Sequence, residues 1–69
     1  MYLVDEINHY LISFGTQYEA TGIAEDLVVI TGPDNYREVF LSEDLIEPLR
    51  KCNSTSEITE LLKFGGMAI

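Results

Sequence analysis

One stripe near the N-terminus carries the residue types of a hydrolytic triad. Asp5, His9 and Ser13 recur at every fourth position, so a helix in this region would place them along one side. The sequence offers no oxyanion donor beside them and no apolar wall to exclude water, and these features supply much of a triad's catalysis. We therefore interpret the stripe as the solvent face of a helix, and we expect no catalytic residue and no enzymatic activity.

The ligand types argue against a metal site in the same way. The chain has one His, His9, and one Cys, Cys52, whereas zinc sites combine several such ligands. Asp34, Asn35 and Glu38 lack the alternating spacing of a calcium loop. We expect no metal and no cofactor. Cys52 is interpreted as a core thiol. Because a single Cys cannot form an internal disulfide, a reducing compartment is expected, which predicts a cytoplasmic location.

The stretch Gly32-Pro33-Asp34-Asn35 could hold a ligand or could simply reverse the chain. A phosphate-binding loop needs successive free backbone N–H groups, a helix start and usually a Lys. Pro33 removes one donor, and Asp34 would repel a phosphate. The composition instead predicts a hairpin bend, with Pro33 at the second position of the turn.

The bend separates two runs that are rich in β-branched and aromatic residues, 27–31 and 36–41, and such runs predict strands. We expect these strands to pair as a hairpin that brings Thr31 close to Tyr36. A weaker strand pattern covers residues 16–23. Val29 and Val39 are assigned to the buried core of this sheet.

Helices are predicted on both sides of the strand region. Residues 2–14 have apolar side chains at helical spacing, with Gly15 as the expected C-terminal stop and Ile12 pointing away from the apolar stripe. The apolar positions of this helix are Leu3, Ile7, Tyr10, Leu11 and Phe14.

Two further helices are predicted after the strands. Ser42 would begin the first of them, which contains Pro48 and should bend or restart at that residue. Ser54 and Glu57 have the spacing of a capping box for the last helix. The apolar faces comprise Leu45, Ile46, Leu49 and Cys52 in the first helix and Ile58, Leu61 and Leu62 in the second.

These elements predict one compact acidic domain over residues 1–69 of the α+β class. The expected order is αβββαα, with a three-stranded antiparallel meander and the helices packed on one face of the sheet. The N-terminal run is not read as a signal peptide, because it has no cationic start and Asp5 and Glu6 interrupt it. No apolar run is long enough for a membrane span.

Charge gives the strongest indication of function. Twelve acidic residues face four basic ones, a formal charge of −8, and the first cation in the chain is Arg37. An acidic surface repels phosphate backbones, so direct nucleic-acid binding is not expected. The last two helices resemble a helix–turn–helix in outline, but the second has the wrong sign for a recognition helix. A basic protein partner is the natural counterpart, although the charge could also serve solubility alone.

Two classes of function fit these observations. The first is a small inhibitor that occupies the nucleic-acid site of a basic protein or nuclease, a class that includes anti-CRISPR proteins, nuclease inhibitors and DNA-mimicking phage proteins. The second is a structural or assembly module that forms a homodimer, either through a sheet edge or through a surface of Phe40, Phe64 and Ile12. The residues predicted to bind the partner are Asp5, Glu6, Glu19, Glu25, Asp26 and Asp34.

Overall fold

The chain folds as a helix, a three-stranded meander and two further helices, in a computed structural model that describes residues 2–64. The elements are α1 (Tyr2–Ser13), β1 (Glu19–Gly22), β2 (Leu27–Thr31), β3 (Arg37–Leu41), α2 (Ser42–Lys51) and α3 (Thr55–Phe64). The strands form one antiparallel sheet in the order β1-β2-β3. The α+β class and the αβββαα order predicted from the sequence are confirmed.

Helix α1 presents its predicted apolar stripe to the core. Leu3, Ile7 and Leu11 are buried at intervals of four residues, and Ile12 points to solvent as expected, with 73% of its surface exposed. Gly15 has a φ of 70°, and its N–H group donates to the carbonyl of Ile12 while the N–H of the next residue donates to Leu11. This is a Schellman arrangement, which ends the helix at the glycine because glycine enters the left-handed region without strain.

The inner face of the sheet is set by the alternation of side chains along β2. Val28 and Ile30 lie in the core with Phe40, which faces Val28 across the β2–β3 pair. Of the two valines assigned to the core, Val29 is buried as predicted, with 5% of its surface exposed, whereas Val39 is only half-buried. The two residues pair with each other on the opposite face of the sheet, outside the cluster that contacts the helices. Phe40, proposed as part of an association surface, is 3% exposed and cannot contribute to one in this fold.

Within residues 2–64 no helix packs on the other face of the sheet, which is mainly apolar along β2 and β3. Val29 is buried there, while Val39 and Leu41 are half-buried. The residues that share this face are Glu19, Thr21, Leu27, Val29, Thr31, Arg37, Val39 and Leu41. We call this surface the outer face.

Asn8 closes the free edge of β1. Its side-chain carbonyl accepts a hydrogen bond from the N–H of Ala20 (2.8 Å), and its amide donates to the carbonyl of the same residue (2.9 Å). A side-chain amide here takes the place of a neighbouring strand, and it satisfies both backbone groups that β1 turns outward at this residue. The edge is therefore protected by a residue of α1.

The β2–β3 turn differs from the predicted one by the placement of its proline. Asp34 and Asn35 have positive φ angles of 59° and 62°, and the N–H of Tyr36 donates to the carbonyl of Pro33. Pro33 is thus the first residue of the turn and not the second. Asp and Asn tolerate the left-handed region, and two positive φ angles suit the twist of a hairpin. Because Tyr36 closes the turn, Thr31 pairs with Arg37 rather than with Tyr36.

The starts of the last two helices match the prediction in part. Helix α2 runs through Pro48 without a restart, and its first residue, Ser42, is buried and does not act as the cap, which falls on Leu41. For α3, the N–H of Glu57 donates to the hydroxyl of Ser54 (3.2 Å). The carboxylate of Glu57 accepts from the N–H of Asn53 (3.3 Å), one residue earlier than in a standard capping box.

Two tyrosine rings join the hairpin to α3. Tyr18 and Tyr36 contact edge to face, with centroids 5.1 Å apart. The ring of Tyr18 lies so close to Gly32 that a Cβ atom at that position would overlap with it. The hydroxyl of Tyr36 donates to the main-chain carbonyl of Leu62 in α3. Glycine at residue 32 is therefore required by contact with an aromatic ring.

The closure of the β1 edge can be tested with Asn8→Ala. This change leaves the N–H and carbonyl of Ala20 without their partners, and we expect it to lower the free energy of unfolding by about 1–3 kcal/mol. Urea denaturation measures the loss. Gln17→Ala, at an exposed loop position, is the control and should change stability by less than about 0.5 kcal/mol. Equal midpoints for the two variants would contradict the role of Asn8.

Alkaline pH tests the Tyr36 contact. Burial, followed by the nearby charge of Glu38 and by Tyr18, raises the pKa of Tyr36 to about 12, whereas an unfolded tyrosine titrates near 10. Between these values the unfolded chain releases a proton that the folded chain retains, so stability falls as the pH rises from about 10 to about 12. Thermal denaturation of Tyr36→Phe should show a shallower fall over this window, and identical pH profiles would contradict the assignment.

Candidate protein-interaction surface

The Asp5–His9–Ser13 stripe lies on the solvent side of α1. All three residues are exposed, and within residues 2–64 no hydrogen bond joins any two of them. Their spacing reflects the pitch of a surface helix. The stripe offers neither a buried nucleophile nor an oriented base.

The six acidic residues predicted to bind a partner fall into three places. Asp5 and Glu6 lie in α1. Glu25 and Asp26 lie in the β1–β2 loop, at one end of the sheet. Glu19 begins β1 opposite Thr31, and Asp34 lies in the β2–β3 turn; both are at the other end. The fold therefore divides the set instead of bringing it together.

Glu6 forms an ion pair with Arg50, which lies 44 positions later in the chain. The guanidinium of Arg50 donates to both carboxylate oxygens of Glu6, at 2.9 and 3.2 Å, and also to Glu47 at 3.4 Å. The hydrogen bond from Arg50 is the main cause that holds the pKa of Glu6 below its usual value. Sequence distance concealed this pair, because 44 residues separate its members. Glu6 is thus poorly suited to recruit another cation.

A group of carboxylates without such a cation surrounds the end of β3. A recess of about 150 Å³ is lined by Asp26, Glu43, Asp44 and Leu41, and Glu25 adjoins it in the chain. We call Glu25, Asp26, Glu43 and Asp44 the acidic corner; all four are exposed. Among residues 2–64, both ion pairs involve Arg50, and neither reaches the acidic corner.

Ser42 brings the two halves of the acidic corner together. Its main-chain N–H and its hydroxyl both donate to the main-chain carbonyl of Asp26, at 2.9 and 3.2 Å. The β1–β2 loop is thereby fastened to the start of α2, next to Glu43 and Asp44. The sequence predicted Ser42 as a helix start, but no local pattern links it to a carbonyl 16 residues earlier. Glu43 and Asp44 were therefore missed as companions of Asp26.

The position of the acidic corner also explains why its carboxylates can gather there. Glu43 and Asp44 occupy the first turn of α2, where the partial positive charge of the helix N-terminus favours anions by about 0.3–1 kcal/mol each. That term offsets part of the repulsion between neighbouring carboxylates. Arg50, a cation of the same helix, contacts Glu47 and Glu6 rather than Glu43. The carboxylate of Glu43 stays available.

Cys52 is half-buried against the core, in agreement with its interpretation as a packing residue. Its thiol donates to the main-chain carbonyl of Pro48 (3.3 Å). Burial, and then the charge of Glu57, raises the pKa of the thiol. A thiol with a raised pKa holds little of the reactive thiolate at neutral pH.

The part of the chain that the structure describes, residues 2–64, has no group of three or more His, Cys, Asp and Glu side chains placed to hold a metal ion. None of its helices has the length and apolarity needed to cross a bilayer. Neither a protein-family model, nor a curated protein, nor a solved structure matches the chain.

The Glu6–Arg50 pair makes a prediction for acid titration. Because Arg50 lowers the pKa of Glu6 in the folded state, this pair stabilises the fold above the ordinary pKa of Glu6 and loses that effect as the pH falls through the folded value. Arg50→Gln should move the pKa of Glu6 up toward its usual value. Carboxyl ¹³C NMR of the two proteins measures the change. A Glu6 titration that is the same in both proteins would contradict the pairing.

Proposed function

We propose that the protein is a non-enzymatic inhibitor that binds, through its acidic corner, the basic nucleic-acid-binding surface of a target protein. The observation that carries this proposal is the convergence of Asp26, Glu43 and Asp44 around one recess. No basic side chain of residues 2–64 forms an ion pair with them. Carboxylates arranged in this way are complementary to the Lys and Arg residues that hold phosphates.

The shape of the recess supports a basic ligand. Three carboxylates surround it, and Leu41 contributes an apolar wall. A Lys or Arg side chain has matching parts, because its charged head can reach carboxylates while its methylene stem lies on an apolar surface. A phosphate or a nucleic acid would meet only repulsion at this place. The partner class is therefore a basic protein.

The net charge supports the same partner through association kinetics. A formal charge of −8 on 69 residues produces a field that can attract a basic groove over several ångströms and raise the association rate. Each exposed ion pair contributes only about 0–1 kcal/mol. Affinity thus requires several carboxylates acting together, and the acidic corner supplies four of them within one surface. Apolar contact with the outer face would add to this attraction.

Capture followed by competition with nucleic acid tests the proposed function. The protein is immobilised and incubated with a lysate of the source cells, and the bound proteins are then challenged with duplex DNA and with RNA. The proposal expects release of a nucleic-acid-binding protein or nuclease by one of these polyanions, together with loss of that protein's nucleic-acid binding in the presence of the inhibitor. Capture that survives both polyanions, or that leaves the nucleic-acid binding of the captured protein intact, would overturn it.

Charge reversal locates the contact. In Asp26→Lys/Glu43→Lys the acidic corner loses two carboxylates and gains two cations, and we expect affinity for the captured target to fall by at least about tenfold, as for several exposed pairs lost together. The matched control is Glu38→Lys/Glu60→Lys, with the same change in net charge at two exposed positions that lie outside both the acidic corner and the outer face. Circular dichroism verifies the fold of both variants.

Titration calorimetry at two salt concentrations measures the affinities of these variants. Added salt should weaken the binding of the unmodified protein, because the Debye length shrinks from about 10 Å at 0.1 M to about 3 Å at 1 M. Equal losses in the two double variants would mean that only total charge matters. In that case the acidic corner would not be the contact.

A further inference from the structure

We infer that the free edge of β3 pairs with the same edge of a second copy of the chain, about Val39, so that Arg37 of each copy enters the acidic corner of the other. This inference does not depend on the proposed function. It rests on three points: the direction of the backbone groups in β3, the closure of the β1 edge by Asn8, and the position of Arg37. Each of these points follows from contacts within residues 2–64.

The direction of the backbone groups in β3 follows from Asn8. Since Ala20 turns its N–H and carbonyl toward Asn8, its partner Ile30 must turn its own groups toward β3, by the alternation of an antiparallel ladder. Glu38, opposite Ile30, therefore points its groups inward. The N–H of Gly32 donates to the carbonyl of Tyr36 (3.1 Å). Tyr36 lies two residues before Glu38, so its backbone groups point in the same direction, and this hydrogen bond agrees with the assignment.

The outward groups of β3 thus belong to Arg37, Val39 and Leu41. No hydrogen bond from another segment of residues 2–64 reaches the N–H groups of these three residues. The β1 edge is occupied by Asn8, so β3 is the edge at which a strand can be added. An exposed row of unpaired backbone groups favours addition of a strand from another chain.

Two copies of β3 could pair in several antiparallel registers, and the register centred on Val39 suits them best. Centred on Val39, the pairing joins the two Val39 residues by reciprocal hydrogen bonds and sets each Arg37 opposite Leu41 of the second copy. Centred on Glu38, it would place two like charges directly opposite, which is destabilising. Centred on Phe40, it would leave Arg37 beyond the end of the paired strand.

The register about Val39 also brings complementary charges together. Arg37 and Leu41 lie on the outer face, and Leu41 lines the recess of the acidic corner. An Arg37 set opposite Leu41 therefore places its guanidinium beside Asp26 and Asp44 of the second copy. Arg37 forms no ion pair within residues 2–64. Two-fold symmetry repeats the contact, so each dimer gains two such pairs, as an isologous interface requires.

The purified chain alone provides the test. Sedimentation velocity from low micromolar to near-millimolar concentration should show a reversible monomer–dimer equilibrium. Arg37→Glu should raise the dimer Kd by about tenfold, since two symmetric ion pairs are lost. Lys63→Glu makes the same change in net charge on α3, away from the interface, and should leave the Kd within about twofold.

Rescue variants separate the specific contact from general repulsion. Asp44→Arg should weaken the dimer, and Arg37→Glu/Asp44→Arg in one chain should restore it, because the reversed charges meet again across the two-fold axis. Val39→Pro should abolish dimers while the monomer stays folded, since proline is tolerated where an edge N–H faces outward. A chain that remains monomeric throughout, equal effects of Arg37→Glu and Lys63→Glu, or absence of rescue would each overturn the inference.

Discussion

Val28, Ile30 and Phe40 lie against the helices, and this packing determines which face of the sheet every other strand residue occupies. Because successive side chains alternate between the two faces of a strand, burial of these three forces Val29 and Val39 onto the opposite side of the sheet. The three helices of residues 2–64 all pack on the side of the sheet that Val28, Ile30 and Phe40 occupy and leave the other face uncovered. The apolar outer face is the direct consequence of a core that is built on one side.

Two polar side chains complete the fold where packing stops. Asn8 satisfies the edge of β1, and Ser42 holds the carbonyl of Asp26 beside the first turn of α2. Each of these side chains bonds to a backbone group that is distant in the sequence. Neither bond involves a charged side chain. The first contact leaves β3 as the edge with unpaired groups. The second collects carboxylates at the end of that same strand.

The order of the elements could be predicted from the sequence because helical and alternating apolar spacing differ in period. The face of the sheet to which each strand residue points could not be predicted. β2 reads Leu-Val-Val-Ile-Thr, which is apolar at consecutive positions, so alternation does not reveal which residues face the helices, and a choice that is wrong by one residue inverts every side chain. The acidic corner was missed for a related reason. Asp26 and Glu43 are joined through Ser42, and the ion pair of Arg50 with Glu6 spans 44 residues.

The dimer and the basic target would use the same carboxylates. In the dimer, Arg37 of one copy lies beside Asp26 and Asp44 of the other, where a Lys or Arg of the target would lie in the complex. Under the two proposals the associations would be mutually exclusive at the acidic corner, and the monomer would be the species that binds the target. The apparent affinity for the target is then reduced by the fraction of chains held as dimers. Self-association would act as a reversible mask, which protects an exposed edge and a charged recess until a more basic surface displaces the second copy.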